Sequence, residues 1–222
     1  MGRQALHLSA PLEAERTWEL DGVTVLAARV RLPQAEGPSR RARRFNRYYR
    51  RFCRSYFFYC EQELAPRARR RCAAALERSR PWEPLHASLD YTLSFESDAL
   101  WSVVVDGREE APRCCLRRAD TWDRVEALPL PMQEFFPTHA RLRRRLLTRA
   151  RSEAARRIEA GEAAYCEEYR PLLRRYLNLR SYYLTPEGLC WFYPMYLLGD
   201  AAEGVVTFCL PYDAENGPYP PP

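Results

Sequence analysis

A chain of 222 residues with 46% apolar and 13% aromatic content can bury one large core or two smaller ones, which excludes a largely disordered protein. All 35 basic residues are arginine, a bias that a GC-rich genome commonly produces, and the lack of lysine excludes Schiff-base, lysine-base and phosphate-loop lysine chemistry. The net charge of +6 is uneven: residues 40–80 hold 14 Arg against 3 Glu, residues 139–175 hold 11 Arg against 5 Glu, and the remainder is acidic, a pattern of arginine-faced helices beside acidic strands.

Asp21-Gly22, set between Thr17-Trp18-Glu19-Leu20 and Val23-Thr24-Val25-Leu26, predicts a β-hairpin. A polar loop over residues 33–44 contains a helix cap at Ser39. The apolar positions Phe45, Tyr48, Tyr49, Phe52, Tyr56, Tyr59, Cys60 and Leu64 then recur three and four apart, so they predict one helical face, with Arg47, Arg50, Arg51 and Arg54 on the other. Such an aromatic stripe reads as core, and the arginines as its solvated back. Pro66 should kink or break the helix before a second piece over Arg67 to Arg78.

Strand patterns follow at His86 to Glu96, Leu100 to Val105 and Arg113 to Arg118, as a meander. Residues 120–136 have little periodicity and mark the domain boundary. Beyond it, Leu142, Leu146, Ala150, Ala154 and Ile158 step by four along a helix capped by Thr138 and closed at Gly161. A second helical stretch bears Tyr165, Tyr169, Leu172, Leu173 and Tyr176, with Pro171 kinking it or opening a new turn. Tyr182 to Leu184 and Leu189 to Tyr193 flank a Thr185-Pro186-Glu187-Gly188 turn, Val205 to Leu210 forms the last strand, and the proline-rich tail should fray. The expected fold is α+β, with antiparallel sheets packed by amphipathic helices in two intimately associated subdomains, 1–125 and 126–222.

No residue set stands out as catalytic. The three histidines, at 7, 86 and 139, sit singly in separate elements, and G-x-S-x-G is absent. The eight cysteines contain no C-x-x-C pair, and Cys53, Cys60 and Cys166 occupy apolar helix positions, so they read as buried thiols; adjacent Cys114 and Cys115 point to opposite faces of a strand. The pairs Glu109-Glu110 and Glu167-Glu168 read as solvated charge. The expectation is a non-enzyme with neither metal nor cofactor. No apolar run has the ~18 residues that a membrane span needs, nor does the start of the chain have a signal-peptide pattern, so a cytoplasmic location is expected.

The run Tyr183-Leu-Thr-Pro-Glu-Gly-Leu-Cys-Trp-Phe-Tyr-Pro-Met-Tyr-Leu-Leu, followed by Ala202-Glu-Gly-Val-Val-Thr-Phe-Cys-Leu-Pro-Tyr212, resembles the C-terminal signature of the RsiV-like domain family. Glu134-Phe135-Phe136 ahead of a helix also matches, whereas Leu198-Gly199-Asp200 departs from the family's pattern. This resemblance implies a two-part α+β fold, found in an anti-sigma factor ectodomain that binds lysozyme and as an accessory, non-catalytic domain of peptidoglycan deacetylases.

The expected function is therefore recognition of a protein, lysozyme-like by the resemblance, or of a cell-wall glycan. Trp191, Tyr193, Tyr196 and Asp200 are the candidate contacts, because aromatics anchor interfaces. The competing reading of Trp191 and Tyr193, which share one strand face, is sheet core. The second function class is nucleic-acid binding through the arginine-rich helix at 40–54.

Overall fold

The Asp21-Gly22 hairpin forms as its sequence demands. In the computed structural model, which describes residues 4–109, 114–137 and 141–221, strands β1 (Leu12–Leu20) and β2 (Val23–Leu32) pair antiparallel across it. Asp21 and Gly22 have φ of 49° and 79°. A two-residue turn matching the twist of its strands needs positive φ at both positions, which Asp-Gly tolerates. Strand β1 is the sheet's edge and is largely exposed; its charged residues and the irregularity between Trp18 and Glu19 hinder pairing with a further strand.

Ser39 caps helix α1 (Arg40–Tyr59), its Oγ accepting from the Ala42 amide at 3.1 Å. The Asn46 side chain ties the helix to the preceding loop, accepting from the Ala35 amide and donating to the Ala35 carbonyl. Phe45, Tyr49, Cys53, Tyr56, Cys60 and Leu64 are buried as the periodicity requires, whereas Tyr48 and Phe52, at the margin of the predicted face, are half-buried and Tyr59 is exposed. Pro66 breaks nothing: a π-helical turn, Cys60–Leu64, carries the chain into helix α2 (Ala65–Glu77), and the Ala65 amide reaches back five residues to the Cys60 carbonyl. The wider turn relieves the clash that a proline ring makes with the carbonyl four residues earlier.

Both helices pack on β2, and the next strand, β3 (Leu85–Glu96), returns parallel to it, with Leu26 opposite Leu85 and Val30 opposite Leu89. The sheet is therefore mixed rather than antiparallel as expected. Its cause is the helical crossover, since β1 already occupies one edge of β2 and a long connection lets the chain enter the other edge in the same direction. Strands β4 (Leu100–Glu109), β5 (Cys114–Asp123) and β6 (Leu128–Pro129) complete a six-stranded sheet in chain order. Two compact units result, the first Leu6–Tyr91 with Asp106–Cys114, the second Met1–Ala5 with Thr92–Val105 and Cys115–Pro222. The long strands β3, β4 and β5 each contribute residues to both units.

The second unit contains a 3-10 turn (Met132–Phe135), helices α3 (Leu142–Glu159) and α4 (Tyr169–Arg175), and an antiparallel sheet in the order β7 (Tyr182–Leu184), β8 (Gly188–Tyr193), β9 (Val206–Pro211). Leu142, Leu146, Ala150 and Ala154 of α3 meet Leu184, Leu189, Trp191, Tyr193 and Phe208 in one core, whereas Ile158, expected to continue the stripe, is exposed near the end of the helix. Gly161, at φ 68°, ends α3: its amide bonds to the Ile158 carbonyl and the Glu162 amide to that of Arg157. Thr138, expected to cap this helix, lies outside the described residues, as do His139 and Glu110. Gly188 is required for close approach, since a Cβ there would stand 2.3 Å from the Leu210 carbonyl oxygen. The tail is tied down at least to Tyr219, whose amide donates to the Phe135 carbonyl at 2.8 Å, so the expected fraying does not begin at Pro218.

Candidate recognition surfaces

Strand β8 is the middle strand of its sheet and alternates strictly, with Leu189, Trp191 and Tyr193 facing the α3 and α4 core while Phe192 packs with Val104 and Ala119. Trp191 is 1% exposed and lies 5.9 Å from the Phe208 ring. Tyr193 is fully buried and donates its hydroxyl to the Leu173 carbonyl at 2.9 Å; burial pushes the phenol up to about 12. Neither offers a surface to a partner. Their alternation made them candidates, but being flanked by strands on both sides makes them core.

Tyr196 and Asp200 differ. Both lie on the loop between β8 and β9, residues 194–205, and both are exposed, Tyr196 at 68%. The loop is built: Tyr165 and Gly199 form a β-bridge, the Cys166 amide donates to the Leu198 carbonyl at 2.8 Å, and the Ala164 amide donates to Glu203 Oε1 at 2.8 Å. A side chain at Gly199 would collide with Glu203 and the Ala164 carbonyl, so a glycine at this position is what lets these two loops meet. Asp200 folds its carboxylate onto the Ala202 amide at 2.7 Å. Tyr196 has φ 64°, a left-handed conformation costing a residue with a Cβ about 1 kcal/mol. An exposed aromatic in a strained conformation on an anchored loop is geometry that core packing does not explain.

The loop lies within a covalent ring. Cys190 and Cys209 stand directly opposite in the β8–β9 register and form a disulfide, with Cys190 buried and Cys209 exposed. These two are therefore not the thiols expected of them. Cys53, Cys60 and Cys72 are buried free thiols, and burial pushes Cys60 up to about 12. The alternating runs Leu-Cys-Trp-Phe-Tyr and Val-Thr-Phe-Cys-Leu hinted at neighbouring strands, but the pairing depends on a register that the intervening loop length decides.

Beneath the same strands, Arg157 of α3 is half-buried 5.1 Å from the Phe208 ring, donating to the Thr207 carbonyl, the Tyr165 hydroxyl and Glu153. Hydrogen bonding from Arg156 holds the Glu153 carboxyl down at about 2 despite partial burial, and Arg157 adds to the effect. A carboxylate with a lowered folded-state pKa stabilises fully above its ordinary value of 4.5 and loses that contribution as pH falls through its folded value. Urea unfolding midpoints should therefore fall between about pH 5 and about pH 2 in the wild type, whereas Glu153→Gln starts lower and falls less over that window. Equal slopes for the two proteins would remove this pair from the acid response.

Comparison with family models finds no match, and comparison with curated proteins finds none. Among solved structures, a crystal structure of a DUF3298 family member from Bacteroides fragilis superposes with a TM-score of 0.60 at 14% identity, covering 96% of this chain and 92% of its own. This chain shares the fold of that structure. A DUF3298 family protein from Pseudomonas aeruginosa PAO1 gives a TM-score of 0.49 at 11% identity, covering 94% of this chain and 92% of its own.

Elsewhere on this DUF3298-like framework, α1 exposes Arg40, Arg43, Arg44, Arg47, Arg50, Arg51 and Arg54 along its outer face, ending at Phe58, which is 65% exposed. The helix contains no acidic residue. Among the described residues no carboxylate pairs with Arg40, Arg43, Arg47, Arg51 or Arg54. His86 is exposed in a groove of about 570 Å³ on the sheet of the first unit, beside Glu15, Arg16, Arg29, Ser88 and Arg108. Arg29 and Glu15 are 3.7 Å apart and Arg16 is paired with Glu61, so this groove has the charges of a solvated sheet face. No group of three or more metal-ligating side chains occurs among the described residues, and no described helix is long and apolar enough to cross a membrane.

Proposed function

We infer that this chain is a non-enzymatic recognition module that contacts a protein or a cell-wall glycan through the 194–205 loop. The observation that carries the reading is Tyr196, exposed and left-handed on a loop anchored to residues 164–166. Backbone strain persists only where surrounding structure over-determines it, and it concentrates at binding sites. Pre-ordering the loop removes the entropy that a flexible contact would lose on binding. The sequence resemblance to RsiV-like domains supports lysozyme and peptidoglycan as the first ligands to try. The disulfide fits an oxidising compartment better than the cytoplasm expected from the start of the chain.

The test is binding of the wild type, Tyr196→Gly and Asp200→Ala to lysozyme and to insoluble peptidoglycan at moderate salt. Tyr196→Gly removes the ring where glycine is conformationally at ease, so a stable protein with at least about tenfold weaker binding is the expected result. Unchanged binding by both variants would overturn the loop assignment.

A second reading rests on the arginine-rich outer face of α1, a helix with no acidic residue of its own. It predicts retention on single-stranded or duplex nucleic acid that falls steeply with salt and is lost in an Arg47→Gln, Arg51→Gln, Arg54→Gln variant, with Tyr196→Gly unaffected.

A further inference from the structure

We propose that the cleft between α3 and α4 binds a phosphate group. The cleft is a solvent-open depression of about 640 Å³, lined by Arg151, Ser152 and Ala155 of α3 and by Arg170, Pro171 and Arg174 of α4. Three arginines and one serine line it, and none of its lining residues is acidic. Among the described residues none of the three arginines makes an ion pair. Elsewhere in the same unit arginines find carboxylates readily: Arg156 is held by both Glu153 and Glu162, and Arg145 lies 3.8 Å from Asp213. Three like charges gathered on one cleft repel one another until an anion sits among them.

The arrangement is also oriented. Helix α4 is pinned to the core through buried Leu173, whose carbonyl accepts the Tyr193 hydroxyl, so the backbone bearing Arg170 and Arg174 is fixed, with the two arginines four residues apart on one face. The Arg170 Nε–H donates to the hydroxyl of Tyr169, which is itself buried, at 3.1 Å. With Nε engaged, both terminal nitrogens of Arg170 remain for a bidentate contact with two oxygens of one anion. Planar paired donors of this kind match phosphate better than a point charge does. Arg174 and Arg151 supply further donors, and the Ser152 hydroxyl can donate to a fourth oxygen. The cleft is larger than one phosphate ion, so it can admit a phosphate carried on a larger molecule, such as a phosphomonoester.

This site is independent of the loop reading, and so is its test. Calorimetric titration of the full chain with inorganic phosphate and with glycerol phosphate, at constant ionic strength set by chloride, should give saturable binding at millimolar concentrations or below. Arg170→Gln and Arg174→Gln, each at an exposed position, should weaken it at least about tenfold, while Arg47→Gln on α1 and Tyr196→Gly leave it unchanged. Tighter binding of glycerol phosphate assigns the cleft to a carried phosphate, and tighter binding of inorganic phosphate assigns it to the free ion. Absence of saturable binding, or equal weakening by Arg47→Gln, would overturn the proposal, the latter by reducing the effect to overall charge.

Discussion

Trp191→Ala should unfold about 3–5 kcal/mol more easily than the wild type, seen as a lower denaturant midpoint at unchanged slope. The indole is 1% exposed, packs on Phe208 and sits between the hydrogen-bonded neighbours β7 and β9, so removing it leaves a cavity that the two flanking strands are not free to fill. Tyr196→Gly, only a few residues further along the chain, should change stability by less than about 1 kcal/mol, because the lost side chain is largely solvated and the left-handed backbone suits glycine. The contrast separates two aromatics that the sequence puts in one candidate surface. If Trp191→Ala proved as mild as Tyr196→Gly, the sheet would have to be able to relax around β8, and the assignment of Trp191 to the core would fail.

Removing the Cys190–Cys209 disulfide, in a Cys190→Ala, Cys209→Ala variant, should cost about 3 kcal/mol on the chain-entropy account, given a closed loop with a sequence separation of 19 residues. Because Cys209 is exposed, a thiol reductant should reach the bond in the native protein and lower the wild type's stability by a similar amount, while leaving the double variant unaffected. The residues enclosed by the ring include the entire 194–205 loop, so the same reduction should weaken any binding that depends on Tyr196 and leave phosphate binding at the α3–α4 cleft intact. Thiol counting in denaturant should find two more reactive groups after reduction than before. An identical count would remove the disulfide and, with it, the argument for an oxidising compartment.

Local chemistry made much of this fold readable. Asp21-Gly22 specified its turn because few residue pairs accept two positive φ values, Ser39 specified the start of α1 because its hydroxyl can satisfy a free amide, and the steps of three and four from Phe45 to Leu64 specified which side of the helix is buried. Leu142 to Ala154 and Gly161 did the same for α3. Each of these is decided within about one turn of chain.

What needed the tertiary structure involves segments distant in sequence. The parallel entry of β3 depends on which edge of β2 is free. The passage of the helix through Pro66 depends on a π-turn that no local pattern announces. Whether an alternating aromatic is core or contact is also undetermined locally: Trp191 and Tyr193 became core because β7 and β9 flank their strand, and Tyr196 became surface because the chain had already left the sheet at Pro194. The Cys190–Cys209 pairing and the gathering of Arg151, Arg170 and Arg174 follow from register and helix packing, which bring together residues about 20 apart. The sequence by itself determined the elements, their caps and their buried faces, because those depend on backbone dihedrals and periodicity. Only the tertiary structure decided the sites, because a site is a juxtaposition, and its energy depends on groups that neighbouring residues do not encode.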